Sequence, residues 1–205
     1  MIKRRPILIV ISAPSGSGKT TIVKIIREKC PEIFYSVSAT TRKMRPGEIN
    51  GKDYIFVTHN TFENWIKSGK VIEWAKIYGE YYGTPKEPID KALSKGRDVI
   101  LDIDVHGKRA LEKIYGRDVV SIFLIPPSLN VLRQRLTTRG AESKEKLEIR
   151  LKLSKEEMKW GYEYDYIVIN DIKEKAAQNI ISIITAERMR KDRIVNLKEI
   201  LENED

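Results

Sequence analysis

The apolar run Ile7-Leu8-Ile9-Val10-Ile11, followed at once by Ser12-Ala13-Pro14-Ser15-Gly16-Ser17-Gly18-Lys19-Thr20, leaves few folds open to this chain. Such a run reads as a strand buried on both faces, a pattern that belongs to parallel sheets covered by helices. The glycine- and serine-rich turn then enters a segment of helical period, Lys19 to Lys29, that stops before Pro31. Ala13 to Thr20 follows G-x-x-x-x-G-K-[ST] except at its first residue, where Ala13 replaces glycine. In this strand–loop–helix, the backbone amides of residues 15–20 and the positive helix end are expected to point at phosphate oxygens. Gly16 and Gly18 allow close approach. Lys19 would neutralise the β and γ phosphates, and the Thr20 hydroxyl would hold Mg²⁺. The expected ATP-binding residues are therefore Ala13, Pro14, Ser15, Gly16, Ser17, Gly18, Lys19 and Thr20.

Further along, apolar runs alternate with helical segments, which predicts an α/β fold: a P-loop NTPase-like core with a parallel sheet flanked by helices. Strands are expected at Val99–Ile103, Val119–Ile125 and Tyr166–Ile169, and helices near Lys86–Lys95, His106–Ile114, Leu129–Thr138 and Ser143–Lys159. The segment from Glu174 to about Leu201 reads as helical, with a strongly charged end. Two stretches interrupt the alternation. Residues 38–84 carry short strand-like pieces (Tyr54–Val57, Val71–Lys76) and a helix near Phe62–Ser68, and read as an insertion. Residues 126–160 hold Arg133, Arg135, Arg139 and Arg150 around an Arg139-Gly140 joint, as a closing helical lid would. The core is then 1–37, 85–125 and 161–205.

Asp102 ends the apolar strand Val99-Ile100-Leu101, where a carboxylate faces the ligand crevice and can orient Mg²⁺ directly or through water. Asp104 is better placed than Asp102 to cap the helix that follows. In Ser38-Ala39-Thr40-Thr41-Arg42-Lys43-Met44-Arg45-Pro46-Gly47-Glu48, two arginines three apart beside a Pro-Gly turn make a claw for a terminal phosphate.

With Gly51-Lys52-Asp53-Tyr54, Tyr81-Tyr82-Gly83-Thr84 and Leu101-Asp102-Ile103-Asp104, the chain resembles the guanylate kinase family, bacterial type. Pro126-Pro127-Ser128, the stretch Arg135 to Gly140 and the stretch Ile167 to Asp171 extend that likeness, in order, from about Ile7 to Ile184. The resemblance implies ATP-dependent phosphorylation of GMP, and of dGMP, to the diphosphate. It implies that residues 38–84 bind GMP through Ser38, Arg42, Arg45, Tyr54, Glu73, Tyr82, Thr84 and Asp104. Glu73 suits guanine N1–H and the 2-amino group, and Ser38 and Thr84 suit O6. Lys19, Arg42, Asp102, Arg135, Arg139 and Arg150 are the expected catalytic groups, with Thr20 and Asp102 at Mg²⁺. Asn170 would sit near adenine or order the loop under it, and Arg133 would be a solvated helix face. His106 stands where the family usually has Gln.

A net charge of +9 suits nucleic acid, a membrane surface or phosphorylated small molecules alike. Few aromatic residues interleave with the basic clusters, so a stacking platform for single strands is not expected, and neither is a membrane partner. The single cysteine, Cys30, and the lack of a signal cleavage site predict a cytoplasmic protein, monomer or homodimer. Three other readings stay open from residues alone: a kinase for another nucleoside monophosphate, a guanylate-kinase-like scaffold domain, and a nucleic-acid-stimulated ATPase.

Overall fold

The computed structural model describes residues 2–138 and 144–202. In chain order its elements are β1 (Leu8–Ser12), α1 (Lys19–Lys29), β2 (Phe34–Tyr35), β3 (Ala39–Thr40), β4 (Ile55–Phe56), α2 (His59–Lys67), β5 (Val71–Ile77), β6 (Glu80–Pro85) and α3 (Lys86–Ser94). Then follow β7 (Val99–Leu101), α4 (Val105–Tyr115), β8 (Val119–Ile125), α5 (Leu129–Thr138), α6 (Lys144–Met158), β9 (Tyr166–Ile169), α7 (Lys173–Arg188) and α8 (Leu197–Glu202). Short 3₁₀ turns at Gly116–Asp118, Lys159–Glu163 and Lys191–Arg193 link some of them.

β1 lies at the centre of a five-stranded parallel sheet of order β2-β7-β1-β8-β9, with Leu8 opposite Val99 on one side and Val119 on the other. Successive side chains of a strand point to opposite faces, so this one run supplies two cores. Ile7, Ile9 and Ile11 pack with Ile22 and Ile26 of α1 and Ile180 and Ile184 of α7. Leu8 and Val10 pack with Ile89 of α3 and Leu111 of α4. The crevice at the carboxyl ends of these strands therefore receives the β1–α1 loop, Asp102 and Asn170 together.

A second, four-stranded sheet of order β4-β3-β6-β5 is built from residues 39–85 and is mixed: β3 runs parallel to β4, and β6 antiparallel to β3 and β5. The register of β5 slips between Val71 and Trp74. Thr58 caps α2 by accepting the Thr61 N–H at 3.1 Å, so that helix starts ahead of the expected Phe62. β2, β3 and β6 were not expected. Two-residue strands carry no readable period, and β6 contains Gly83 and Pro85.

The segment after Glu174 is not one helix, as its pattern suggests. α7 ends at Arg188, and Arg190 turns extended (φ −58°, ψ 131°). The Arg5 N–H donates to the Arg193 carbonyl at 2.9 Å, and the Val195 N–H to the Lys3 carbonyl at 2.9 Å. Pairing with the N-terminal residues, together with burial of Arg193 against Glu187, outweighs helix continuation here. No helix of the described residues is long and apolar enough to cross a membrane. The Arg139-Gly140 joint lies outside the described residues.

Candidate active site

The loop after β1 is held in shape by its own turn and by two neighbours. The Ser17 N–H donates to the Pro14 carbonyl at 3.1 Å, closing a tight turn through Ser15 and Gly16. Gly16 takes φ +86° and Gly18 φ +91°, values that side-chain-bearing residues rarely adopt. At Gly18 there is no room either, because an added Cβ would meet Asn170 Nδ2 at 2.6 Å. That amide donates to the Ser17 carbonyl at 2.7 Å, and the Asn170 N–H donates to Ile125, so β9 supports the loop. Of Asn170's two expected uses, the geometry displays the ordering of the loop. The loop encloses a cavity of about 320 Å³, lined by residues 12–20 with Asp104, Val105, Phe123, Glu157 and Trp160.

Lys19 stands at the floor of that cavity, its Nζ donating to the Ile103 carbonyl at 3.4 Å. Burial pushes its pKa down, while the Asp102 and Asp104 carboxylates push it back up. Asp102 follows β7 as expected, and its Oδ1 accepts from the Tyr35 hydroxyl at 2.7 Å. Asp104 caps α4 by accepting the Gly107 N–H at 2.9 Å. Thr20 is exposed at the first turn of α1.

The helices after β8 approach from the other side. Arg135 of α5 donates to the Asn170 carbonyl at 2.9 Å and the Ser17 carbonyl at 3.5 Å. Arg150 of α6 donates to Ser15 Oγ at 3.3 Å. Arg133 is exposed and bridges to Glu148 of α6 at 2.7 Å, so it ties the two helices together. Arg139 lies outside the described residues. Ser15 faces α6 from the rim, its N–H donating to Glu157 Oε2 at 3.0 Å. The Ser15 and Ser17 amides are thus engaged within the protein, Ser15 on Glu157 and Ser17 on Pro14.

On the second sheet, the acceptor-side groups divide into two clusters. Glu73 sits at the register slip of β5, where a bulge re-aims a side chain, and Thr84 of β6 donates to its Oε1 at 2.6 Å. Burial raises the Glu73 pKa, the Thr84 hydrogen bond lowers it, and Asp104 raises it. In the other cluster the Arg42 guanidinium lies 5.1 Å over the Tyr54 ring, and Tyr54 meets Tyr82 edge-on at 6.0 Å. Arg42 also forks onto Glu48 with two 2.8 Å hydrogen bonds, and the Arg45 N–H donates to the same carboxylate at 2.7 Å. That holds Glu48 down to about 2. Arg45 is exposed, and Ser38 is half-buried beside β3.

A family model described as guanylate kinase matches residues 3–187. The chain belongs to the guanylate kinase family. It is 44% identical over 196 residues to the guanylate kinase of Rhodopseudomonas palustris strain CGA009, covering 96% of this chain and 89% of that one. It is equally 44% identical to the guanylate kinase of Carboxydothermus hydrogenoformans, covering 95% of each. The crystal structure of guanylate kinase from Anaplasma phagocytophilum superposes with a TM-score of 0.80 at 35% identity, covering 100% of both chains.

Beyond the residues that the guanylate kinase resemblance implies, the site also has Tyr35 on Asp102, Glu48 on Arg42, and both Ser154 and Glu157 on Ser15. Glu48 had a signal, since it closes the R-x-x-R-x-G-E pattern. Tyr35 and Glu157 had none, because their partners lie 67 and 142 residues away. The donor set suits Mg²⁺: Thr20 and Asp102 offer only hard oxygens, and this ion is held by one or two carboxylates plus substrate phosphates. Among the described residues no group of three or more His, Cys, Asp or Glu could hold a metal ion by itself.

Proposed function

We propose that this chain carries out ATP-dependent phosphorylation of GMP, and of dGMP, to the diphosphate, with the donor in the β1–α1 loop and the acceptor against the second sheet. The observation that carries the acceptor assignment is the Glu73–Thr84 pair. A half-buried carboxylate aimed by a bulge can accept from guanine N1–H and the 2-amino group. Adenine lacks those donors and would leave the carboxylate unpaired. Sites of this kind discriminate by roughly 10⁴-fold or more.

Each group then has a task in in-line transfer, which depends on positioning and charge compensation more than covalent help. Lys19 balances charge on the β and γ phosphates, and Gly16, Gly18, Lys19 and Thr20 offer backbone amides to them. Thr20 and Asp102 hold Mg²⁺, which when bound neutralises charge on the phosphates, and the Tyr35 hydroxyl fixes the Asp102 carboxylate. Arg42 and Arg45, with the Tyr54 and Tyr82 hydroxyls, receive the GMP phosphate. Ser38 and Thr84 serve guanine O6. Asp104 joins the two sites, since its charge bears on both Lys19 and Glu73. Arg135, Arg139 and Arg150 from a lid of residues 126–160 stabilise the transferring group, and closure excludes water as a competing acceptor. Residues 38–84 act as the GMP-binding region on the core. A buried, free Cys30 and freely diffusing substrates support a cytoplasmic setting.

A coupled assay of ADP release with GMP, dGMP, AMP and UMP tests this directly. GMP and dGMP should drive turnover and AMP should not. Equal rates with AMP would overturn the guanine assignment, and no GMP-dependent ADP would overturn the kinase reading in favour of a scaffold.

A further inference from the structure

Three residues of α6, spaced four and three apart, converge on a single residue of the donor loop. Arg150 donates to Ser15 Oγ at 3.3 Å, Ser154 Oγ donates to the Ser15 carbonyl at 3.3 Å, and the Ser15 N–H donates to Glu157 Oε2 at 3.0 Å. Positions at this spacing share one helix face. Every polar group of Ser15 is thereby engaged by the lid. Ser154 is wholly buried in the contact, at 0% exposure.

Apolar side chains of α6 divide between two faces, with Leu147, Leu151 and Met158 partly buried. Its Ile149 and Leu153 are 60% and 58% exposed, whereas the contact with Ser15 is made by polar groups. The Ser15 amide is available for the task because of the turn. With Ser17 N–H closing back to Pro14, Ser15 occupies a corner of the turn, and its N–H meets Glu157 where both residues line the loop's cavity. Glu157 can therefore hold α6 on the loop through this one amide.

We propose that Glu157 is a positioning residue for phosphoryl transfer: by accepting the Ser15 N–H it seats α6 on the donor loop and so delivers Arg150 to the transferring phosphate. This rests on the kinase reading above. Ser154 supports the same seat. The lid thus reads the loop's backbone directly, and the loop's conformation is coupled to the lid's position.

The test is a double-mutant cycle on the full chain, assayed for ADP release with ATP and GMP, alongside thermal unfolding of each variant. Wild-type turnover with GMP establishes the kinase reading on its own, whatever the variants do. Glu157→Ala should lower kcat roughly tenfold to a hundredfold, the scale of a misplaced group. KM for GMP should stay within about twofold, because α6 makes none of the acceptor contacts. Glu157→Gln keeps an oxygen acceptor and should recover most of the loss. In an Arg150→Ala background, Glu157→Ala should cost little more, since the two act as a unit. Multiplicative losses in the double variant would overturn the proposal. So would a lower KM for ATP in Glu157→Ala, which would make the carboxylate a stand-in for phosphate. A melting temperature that falls in step with activity, with kcat per folded molecule unchanged, would reduce Glu157 to a structural residue.

Discussion

Lys19 and Glu73 are both ionisable side chains placed where water is scarce, and burial penalises the charge that each needs. For Lys19, burial lowers the pKa against the opposing pull of Asp102 and Asp104, and a bound triphosphate would favour the ammonium further. Lys19→Ala should lower kcat by about 10²- to 10³-fold, the scale for removing one charge-stabilising donor. Calorimetric GMP affinity should be nearly unchanged. For Glu73 the sign runs the other way. Its folded pKa lies above the ordinary carboxylate value, so it protonates sooner as pH falls and then loses its capacity to accept from guanine. KM for GMP should rise as pH falls through that raised value, and Glu73→Gln should flatten the rise while raising KM throughout. Because a raised carboxyl pKa means the ionised form strains the free enzyme, Glu73→Gln should be at least as stable as wild type at pH 8. Lys19, Arg42 and Asp102 could be named from the sequence because each sits within a local motif, whereas Glu73 was named only through the family resemblance. Tyr35 and Glu157 were not, since only the folded chain brings a hydroxyl of β2 to Asp102 and a carboxylate of α6 to Ser15.

Elements differ in how plainly their residues announce them. β8, α5 and β9 coincide with the spans read from sequence, because each is a continuous apolar run or a periodic segment bounded by turn residues. Half of the second sheet was read, as Tyr54–Val57 at β4 and Val71–Lys76 at β5; β3 and β6 were not, since β3 is two residues long and owes its existence to pairing across the chain. The turn after β3 shows how such a region is fixed without a core. One carboxylate, Glu48, takes both arms of Arg42 and the Arg45 N–H, so the arginine proposed to meet the acceptor phosphate is held in place. Glu48→Ala should therefore raise KM for GMP by roughly tenfold, since restraining a group before binding reduces the ordering cost of binding. Its kcat should change less, and steady-state kinetics separates the two. The Glu48 carboxyl, held to about 2, keeps this arrangement ionised at any working pH; the restraint is present above the ordinary carboxylate value and is lost only as pH falls towards 2.

At the level of the whole molecule, the end of the sheet away from the crevice is tied by one buried anion. Asp98 accepts from both arms of Arg4 at 2.7 Å, from Arg188 at 2.8 Å and from the Ile7 N–H at 2.8 Å. It joins the N-terminus, β7 and α7 in a single node. Asp98→Ala would leave two cations and an amide without that acceptor, a loss of about 3–5 kcal/mol, or a melting temperature lower by roughly 10 °C in calorimetry. Turnover at low temperature should persist, because Asp98 precedes β7 whereas Asp102 follows it. The Asp98 pKa is depressed, so its contribution is present above the ordinary aspartate value and is lost as pH falls through the depressed one. The central place of β1 also bears on how the chain is made. β1 can pair with β7 only once residues 99–101 have been synthesised, and with β8 only once residues 119–125 have. At ordinary elongation rates that leaves Ile7–Ile11 waiting for roughly 6–20 seconds. The charges of Lys3, Arg4 and Arg5 stand immediately before that run. They would serve as gatekeepers against aggregation of the nascent chain before they become the anchor of the finished sheet.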